Sequence, residues 1–110
     1  MRPVSVGVNL PETVTTTVYT VPLGYYAKFN LLYLHNTGGS TKAITIQWYD
    51  ASAAASVDIL TGVSYASKTY SQFSDAYIVM EEGDQLRATP DSGSAFGLIA
   101  TFEEIGLTRQ

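Results

Sequence analysis

Apolar residues fall at every second position in several stretches of this chain, and the longest such region spans residues 19–50. Ala27, Phe29, Leu31 and Tyr33 share one parity, and Ile44, Ile46 and Trp48 share one parity further on. A period of two puts alternate side chains on opposite faces of an extended backbone, so two long half-buried antiparallel strands are predicted. His35-Asn36-Thr37-Gly38-Gly39-Ser40 lies between them and has turn chemistry, which predicts a Gly-rich hairpin at the centre of the core. Ahead of the first strand, Pro22-Leu23-Gly24 predicts a tight turn: proline fixes φ and cannot donate to a ladder, and Gly24 can take a positive φ. Tyr26, Leu32 and Leu34 occupy the other parity of the first strand, interrupted only by Lys28 and Asn30. That back face is unusually apolar, and a loop or another subunit is expected to cover it.

The same reading extends to the rest of the chain. Val4, Val6 and Val8 alternate with Ser5, Gly7 and Asn9, while Pro3 and Pro11 exclude a helix. Residues 1–12 therefore read as an extended N-terminal arm, which either pairs with its own sheet or adds a strand to a neighbour's edge. Residues 13–21 are dense in Thr and Val and favour a strand. Residues 51–56 read as a connection and 57–60 as a short strand, followed by a turn at Thr61-Gly62. Residues 63–73 read as irregular strand or loop. A strand at 75–80, a turn at Glu81-Glu82-Gly83-Asp84, a strand at 85–89 and a turn at 90–94 lead into a last long strand. There Phe96, Leu98, Ala100 and Phe102 share a face. Short strands joined by Gly, Pro, Asn and Asp turns, without an amphipathic helix, predict an all-β fold. It is an antiparallel β-sandwich, jelly-roll-like, of about eight strands. The expected organisation is an arm (1–12), one sandwich domain (13–105) and a short tail (106–110).

Composition narrows the function classes. The 110 residues fit one small domain, and only 15% are charged, against roughly 25% in an average domain. Either neighbouring molecules cover part of the surface, or a Thr/Ser-rich polar face uses hydroxyls in place of charges. The net charge is −4, and Arg2, Lys28, Lys42, Lys68, Arg87 and Arg109 are scattered, so binding of nucleic acid through its phosphates is not expected. The absence of cysteine removes disulfides, thiolate metal sites and a cysteine nucleophile. No apolar run reaches the ~20 residues of a membrane span, and the N-terminus lacks the apolar stretch of a signal peptide. The chain is expected to be soluble and made in a cytoplasm, with no membrane partner.

No catalytic constellation emerges. His35 is the only histidine, and no Gly-x-Ser-x-Gly elbow accompanies it, so it reads as a hydrogen-bonded strand-end residue. Glu81, Glu82 and Asp84 surround Gly83 without the alternation of a calcium loop, and they read as solvated turn carboxylates. Glu103 and Glu104 are adjacent in a strand and point to opposite faces, which makes a poor acid/base pair. No cofactor is implied, and the chain is expected not to be an enzyme. A small hydrolase would need a pocket around His35.

The aromatic excess is the compositional signal: eight Tyr, four Phe and one Trp. Phe29, Tyr33, Trp48, Phe96 and Phe102 suit the core. Tyr19, Tyr25, Tyr26, Tyr49, Tyr65, Tyr70 and Tyr77 cannot all be buried in so small a domain. Exposed tyrosine fits a protein interface, sugar stacking or simple β-propensity.

Val18-Tyr19-Thr20-Val21-Pro22-Leu23-Gly24, the strand ending His35-Asn36-Thr37-Gly38-Gly39, Ile44-Thr45-Ile46, Val79-Met80-Glu81-Glu82-Gly83-Asp84-Gln85-Leu86-Arg87-Ala88 and the final strand at 96–102 together resemble small β-sandwich structural proteins of tailed bacteriophages. The resemblance covers most of the chain, from Val14 to Glu104. It implies a non-enzymatic virion structural protein, a capsid decoration (cement) protein that binds the capsid lattice and its own copies, assembled in the host cytoplasm. A tail-associated adaptor or a fibre module, with or without glycan binding, is the alternative. The implied partners are phage capsid or tail proteins and further copies in a homo-oligomer. The contact candidates are Val4, Val6, Val8, Tyr25, Tyr26, Leu32 and Leu34. A glycan-binding module would instead present a platform built from Tyr65, Tyr70 and Phe73.

Overall fold

The computed structural model describes residues 2–74 and 77–106 and is all-β. Its strands are β1 (Arg2–Leu10), β2 (Thr16–Thr20), β3 (Tyr25–Asn36), β4 (Lys42–Asp50), β5 (Ala55–Tyr65), β6 (Tyr70–Phe73), β7 (Ile78–Met80), β8 (Gln85–Pro90) and β9 (Phe96–Gly106). Sheet A has the order β1-β9-β3, with β6 and β7 side by side on the far edge of β3; sheet B has the order β2-β8-β4-β5. Every pairing is antiparallel. With β6 and β7 counted as one interrupted strand, each sheet has four strand positions and the chain passes repeatedly from one sheet to the other. This is the arrangement of a jelly roll.

The expected hairpin between β3 and β4 does not form. β3 pairs with β9, β6 and β7, whereas β4 pairs with β5 and β8, so the two long strands lie in different sheets. The Gly-rich segment between them is a corner that carries the chain across the sandwich, and Asn36 builds it. Its buried amide donates to the carbonyls of Ser40 (3.0 Å) and Tyr65 (2.9 Å), and its Oδ1 accepts the N–H of Gly38 (3.0 Å). The Asn36 backbone also pairs with Thr69 and Lys68. One side chain thereby satisfies polar groups of a corner that would otherwise be buried unpaired.

A second departure from strict alternation lies inside β3. Its pairing with β9 shifts register between Phe29 and Leu31, leaving Asn30 as an extra residue. Such a bulge inverts the parity of everything after it. Ala27 and Phe29 face the core before the bulge; Leu32, Leu34 and Asn36 face it afterwards. Leu31 and Tyr33 are thereby turned outward, against the expectation that they join Ala27 and Phe29. In β5, Thr61-Gly62 is likewise not a turn between strands. Gly62, with φ +55°, sits at a register shift within one 11-residue strand.

Several other local expectations hold, and one, at Asp84, does not. Gly24 has φ +85° and the Tyr25 N–H donates to the Pro22 carbonyl at 3.2 Å, closing the predicted turn. Phe96, Leu98, Ala100 and Phe102 of β9 all face inward, as do Ile44 and Ile46 of β4, with Trp48 packed against them. β1 pairs with its own sheet, against β9 in continuous register from Arg2↔Glu104 to Leu10↔Phe96. Asp84 is not solvated: it is 1% exposed and accepts N–H groups from Trp48 Nε1 (3.1 Å), Ala51 (3.0 Å) and Glu81 (2.9 Å). A turn carboxylate is drawn inside because it collects three donors that would otherwise lack partners. Asp75 and Ala76 of the strand expected at 75–80, and residues 107–110 of the tail, lie outside the described residues.

Candidate interaction surface

The bulge at Asn30 decides what sheet A shows to solvent. After it, β3 turns Leu31, Tyr33 and His35 outward, in line with Tyr26 and Lys28 before it. On β9 the outward positions are Gly97, Ile99, Thr101, Glu103 and Ile105, and on the far edge Tyr70 and Val79 stand opposite His35 and Lys28. Cross-strand rows result: Ile105 beside Tyr26, and Ile99 between Gly7 and Tyr33. Tyr33 stacks on Tyr70 with ring centroids 5.4 Å apart and planes at 21°. Ile99 is 45% exposed, Val79 49% and Tyr70 61%. The charges on this face neutralise one another: Lys28 Nζ lies 3.8 Å from Glu103 and 4.5 Å from the centroid of the Tyr77 ring. Where Gly7 and Gly97 have no side chains, the face carries a shallow depression of about 390 Å³, walled by Asn9, Tyr33, His35 and Ile99. Polar residues share the face: Lys28–Glu103 and Ser5–Thr101 lie between the Tyr26–Ile105 pair and the Tyr33–Ile99 row, and Asn9, His35 and Gln72 border that row. Exposed Tyr and Ile side chains gathered on a sheet face are the surface signature of a contact region.

A second apolar opening lies on one side of the sandwich, where β6 gives way to β7. It is a cleft of about 420 Å³ lined by Phe29, Leu32, Ile59, Leu60, Phe73 and Ile78, among others. Its position follows from the Asn30 bulge, since β6 pairs with β3 only after the bulge and β7 only before it.

The open end of sheet A is pinned by a buried charge. Glu104 faces inward on β9 and accepts hydrogen bonds from Arg2 Nε (2.6 Å) and Tyr19 Oη (2.5 Å). Burial would push the Glu104 carboxyl up; the hydrogen bonds from Tyr19 and Arg2 and the Arg2 charge outweigh it and hold the carboxyl below its ordinary value. The Tyr19 hydroxyl is raised, first by burial and then by the adjacent carboxylate. Tyr19 also stacks on Phe102 at 3.8 Å, so this tyrosine belongs to the core.

The residues singled out from sequence do not form one surface. Tyr26 alone of them lies on the outer face of sheet A. Tyr25 lies on the inner parity, packed against the core with the Arg2 guanidinium 4.9 Å over its ring. Val4, Val6 and Val8 also face inward, half-buried along the sheet's free edge. Leu32 and Leu34, 2% and 0% exposed, are core residues and leave the set of contact candidates, because the bulge reverses their parity. Tyr33, expected in the core, moves outward for the same reason. The Tyr65–Tyr70–Phe73 platform is not assembled: Tyr65 meets Phe96 edge-on in the interior, Tyr70 lies on the outer face and Phe73 lines the cleft. Sequence reasoning missed Leu31, Tyr33 and Ile99 as surface residues; a lone Asn within an apolar run was the one local signal of the bulge.

His35 lies on the outer face beside Gly97 and Tyr70. Among the described residues no group of three His, Asp or Glu side chains is placed to hold a metal, and no helix is long and apolar enough to cross a membrane.

The fold has solved counterparts. A Bacillus endospore appendage, described as one of a family of disulfide-linked pili, superposes with a TM-score of 0.59 at 15% identity, over 97% of this chain and 87% of that one. A structure of infectious bursal disease virus, Gt strain, gives 0.49 at 11% identity over 92% of this chain and 32% of that one. The cyanophage Pam1 capsid asymmetric unit gives 0.42 at 16% identity over 92% and 82%. At these identities the likeness is one of fold alone, and it rests here on the appendage, with its score of 0.59. No family model matches the sequence, and no curated protein matches it. These 110 residues contain no cysteine, so they offer no thiol for the disulfide linkage by which the appendage pili are described.

Proposed function

We propose that this chain is a non-enzymatic virion structural protein, a decoration (cement) protein of a tailed phage that seats the outer face of sheet A on a capsid lattice. The observation that carries the reading is the apolar and aromatic character of that face, with Tyr26, Leu31, Tyr33, Ile99 and Tyr70 on it and its one ion pair internally neutralised. The low overall charge and the resemblance to phage β-sandwich proteins support it. A rigid sheet face loses little conformational freedom on docking, and many copies on a lattice multiply a modest single contact. A stable contact needs roughly 600–1,000 Å² from each partner, within reach of one sheet face of such a domain.

The test is co-sedimentation with empty phage capsids, comparing the natural chain with the double variant Tyr33→Thr/Ile99→Thr, which removes the apolar side chains and leaves β-branched residues at two directly paired positions. High-copy binding lost in the variant, with its thermal unfolding unchanged, supports the reading. Equal binding by both places the contact elsewhere. A ring in isolation that binds tails and ignores capsids supports the adaptor role instead.

A further inference from the structure

Two stacked sheets have four lateral edges, and an edge strand is a template for another strand unless something blunts it. Three edges are blunted in this molecule. β2 is five residues long and bulged between Thr17 and Tyr19. β5 carries Asp58 and shifts register twice against β4. The far edge of sheet A is split between the short strands β6 and β7. β1 differs from all three. It runs nine residues without a bulge, has no charge from Pro3 to Leu10, and among the described residues has no strand on its outer side; its one blunting residue, Pro3, which has no N–H to donate, lies next to its end. Its inward residues Val4, Val6 and Val8 pack against the core yet stay half-exposed, because sheet A stops there.

We propose that β1 is the docking site for a second copy of this chain, joined β1 to β1 antiparallel about a two-fold axis at Val6, so that sheet A continues across both molecules. Centring on Val6 is the register that aligns the whole strand, Arg2 with Leu10 of the second copy, and it sets Pro3, which has no N–H to donate, opposite Asn9 near each end of the joint. It sets Val4 opposite Val8 of the second copy and Val6 opposite its own equivalent. The half-exposed valine row of each copy then covers the other, and β-branched cross-strand pairs are favourable. On the outer side Ser5 meets Gly7, so neither bulk nor charge opposes the approach. Arg2, the one charged residue of the strand, sits at its end and is already held by Glu104. A two-fold joint is closed and leaves neither β1 edge free for open-ended growth. The inference does not depend on what the outer face of sheet A binds.

Light scattering on the purified chain, without particles, tests it. The natural chain is expected as a dimer. Ser5→Lys/Gly7→Lys places like charges opposite each other at both symmetry-related positions and is expected to raise the dimer dissociation constant about tenfold or more. Ser5→Lys/Gly7→Glu places opposite charges there and is expected to restore the dimer. A Cβ at Gly7 approaches nothing nearer than Ile99 Cγ1 at 3.9 Å, so both variants fit the monomer. An independent readout uses the absence of cysteine: Val6→Cys is expected to cross-link into a covalent dimer under mild oxidation, faster than Leu23→Cys on the exposed turn. A monomeric natural chain, a closed ring of higher order, a dimer indifferent to Ser5→Lys/Gly7→Lys, or cross-linking of Val6→Cys no faster than that of Leu23→Cys overturns the proposal. Because no capsid is present in these experiments, their failure is separate from failure of the capsid reading.

Discussion

The outward side chains of sheet B include Thr17, Thr45, Gln47, Gln85, Arg87 and Thr89; those of sheet A include Tyr26, Leu31, Tyr33, Val79, Ile99 and Ile105. Both sets alternate with core residues in the same way, and both face away from the sandwich. On sheet B the polar groups bond to one another across and along the strands. Thr15 and Thr89 share a hydrogen bond at 2.7 Å, Gln47 donates to Asp58 at 2.9 Å, and Arg87 donates to Gln85 at 2.8 Å while lying 4.1 Å over the Tyr49 ring. On sheet A many of the corresponding positions are hydrocarbon and aromatic ring, relieved by Ser5–Thr101, Lys28–Glu103 and by Asn9, His35 and Gln72. Water solvates the first surface at little cost. The second leaves apolar area exposed that association would remove, at roughly 25 cal/mol for each Å². Two faces with one periodicity can thus have opposite roles, and the difference lies in which residues the register turns outward.

The largest expected effect tests that register. Leu34→Ala should cost about 2–5 kcal/mol in denaturant unfolding, because it opens a cavity in the core. Tyr33→Ala, one residue away, should cost less than about 1 kcal/mol. Equal losses at the two positions would mean that the bulge at Asn30 does not reverse the strand's parity.

Next comes the functional contrast between the faces. Tyr33→Thr/Ile99→Thr should weaken particle association about a hundredfold, as two central contacts of hot-spot size would. Thr45→Lys/Thr89→Glu on sheet B, which sets opposite charges at a directly paired position, should change it by no more than about twofold, since surface substitutions away from a contact are near neutral. A reversed ranking in the same sedimentation assay would assign docking to sheet B.

Glu104 supplies a smaller effect, at the pinned end of sheet A. Its carboxyl is held below its ordinary value in the folded chain, so the folded state binds its proton less readily than the unfolded state does. The stability it contributes is therefore present above the unfolded pKa and is lost as pH falls through the lower folded value. Glu104→Gln should cost about 1–3 kcal/mol at neutral pH, because Arg2 and Tyr19 lose a charged acceptor. It should also flatten the acid limb of a plot of stability against pH. An unchanged acid limb would show that this carboxylate does not drive the titration.

The smallest expected effect is on sheet B. Gln47→Ala should alter stability by at most about 0.5 kcal/mol, since its partner Asp58 is exposed and water replaces the hydrogen bond. A larger loss would show that the polar lattice is cooperative.

Strand positions, the turn at Pro22-Leu23-Gly24 and the inward face of β9 are legible from the order of residues alone. They rest on interactions that span a few positions: side-chain alternation, a fixed proline φ and a glycine free to take φ of +85°. Sheet membership is not local in this way. Within the described residues, β4 and β5 are the only consecutive strands that pair, and every other ladder joins segments far apart in the chain. Two strong strands on either side of a Gly-rich link look like a hairpin, and nothing local opposes that reading until Asn36 meets Tyr65. The outer face of sheet A was hidden for a related reason. The extra residue at Asn30 is set by how β3 must match β9, and it moves Leu32 and Leu34 inward and Tyr33 outward together. Glu104 and Asp84 gave no sign of burial either, because their partners Arg2, Tyr19, Trp48 and Ala51 reach them across the fold. Periodicity is a short-range property that survives in any register; which neighbour a strand takes, and therefore which of its faces meets water, depends on long-range closure of the two sheets.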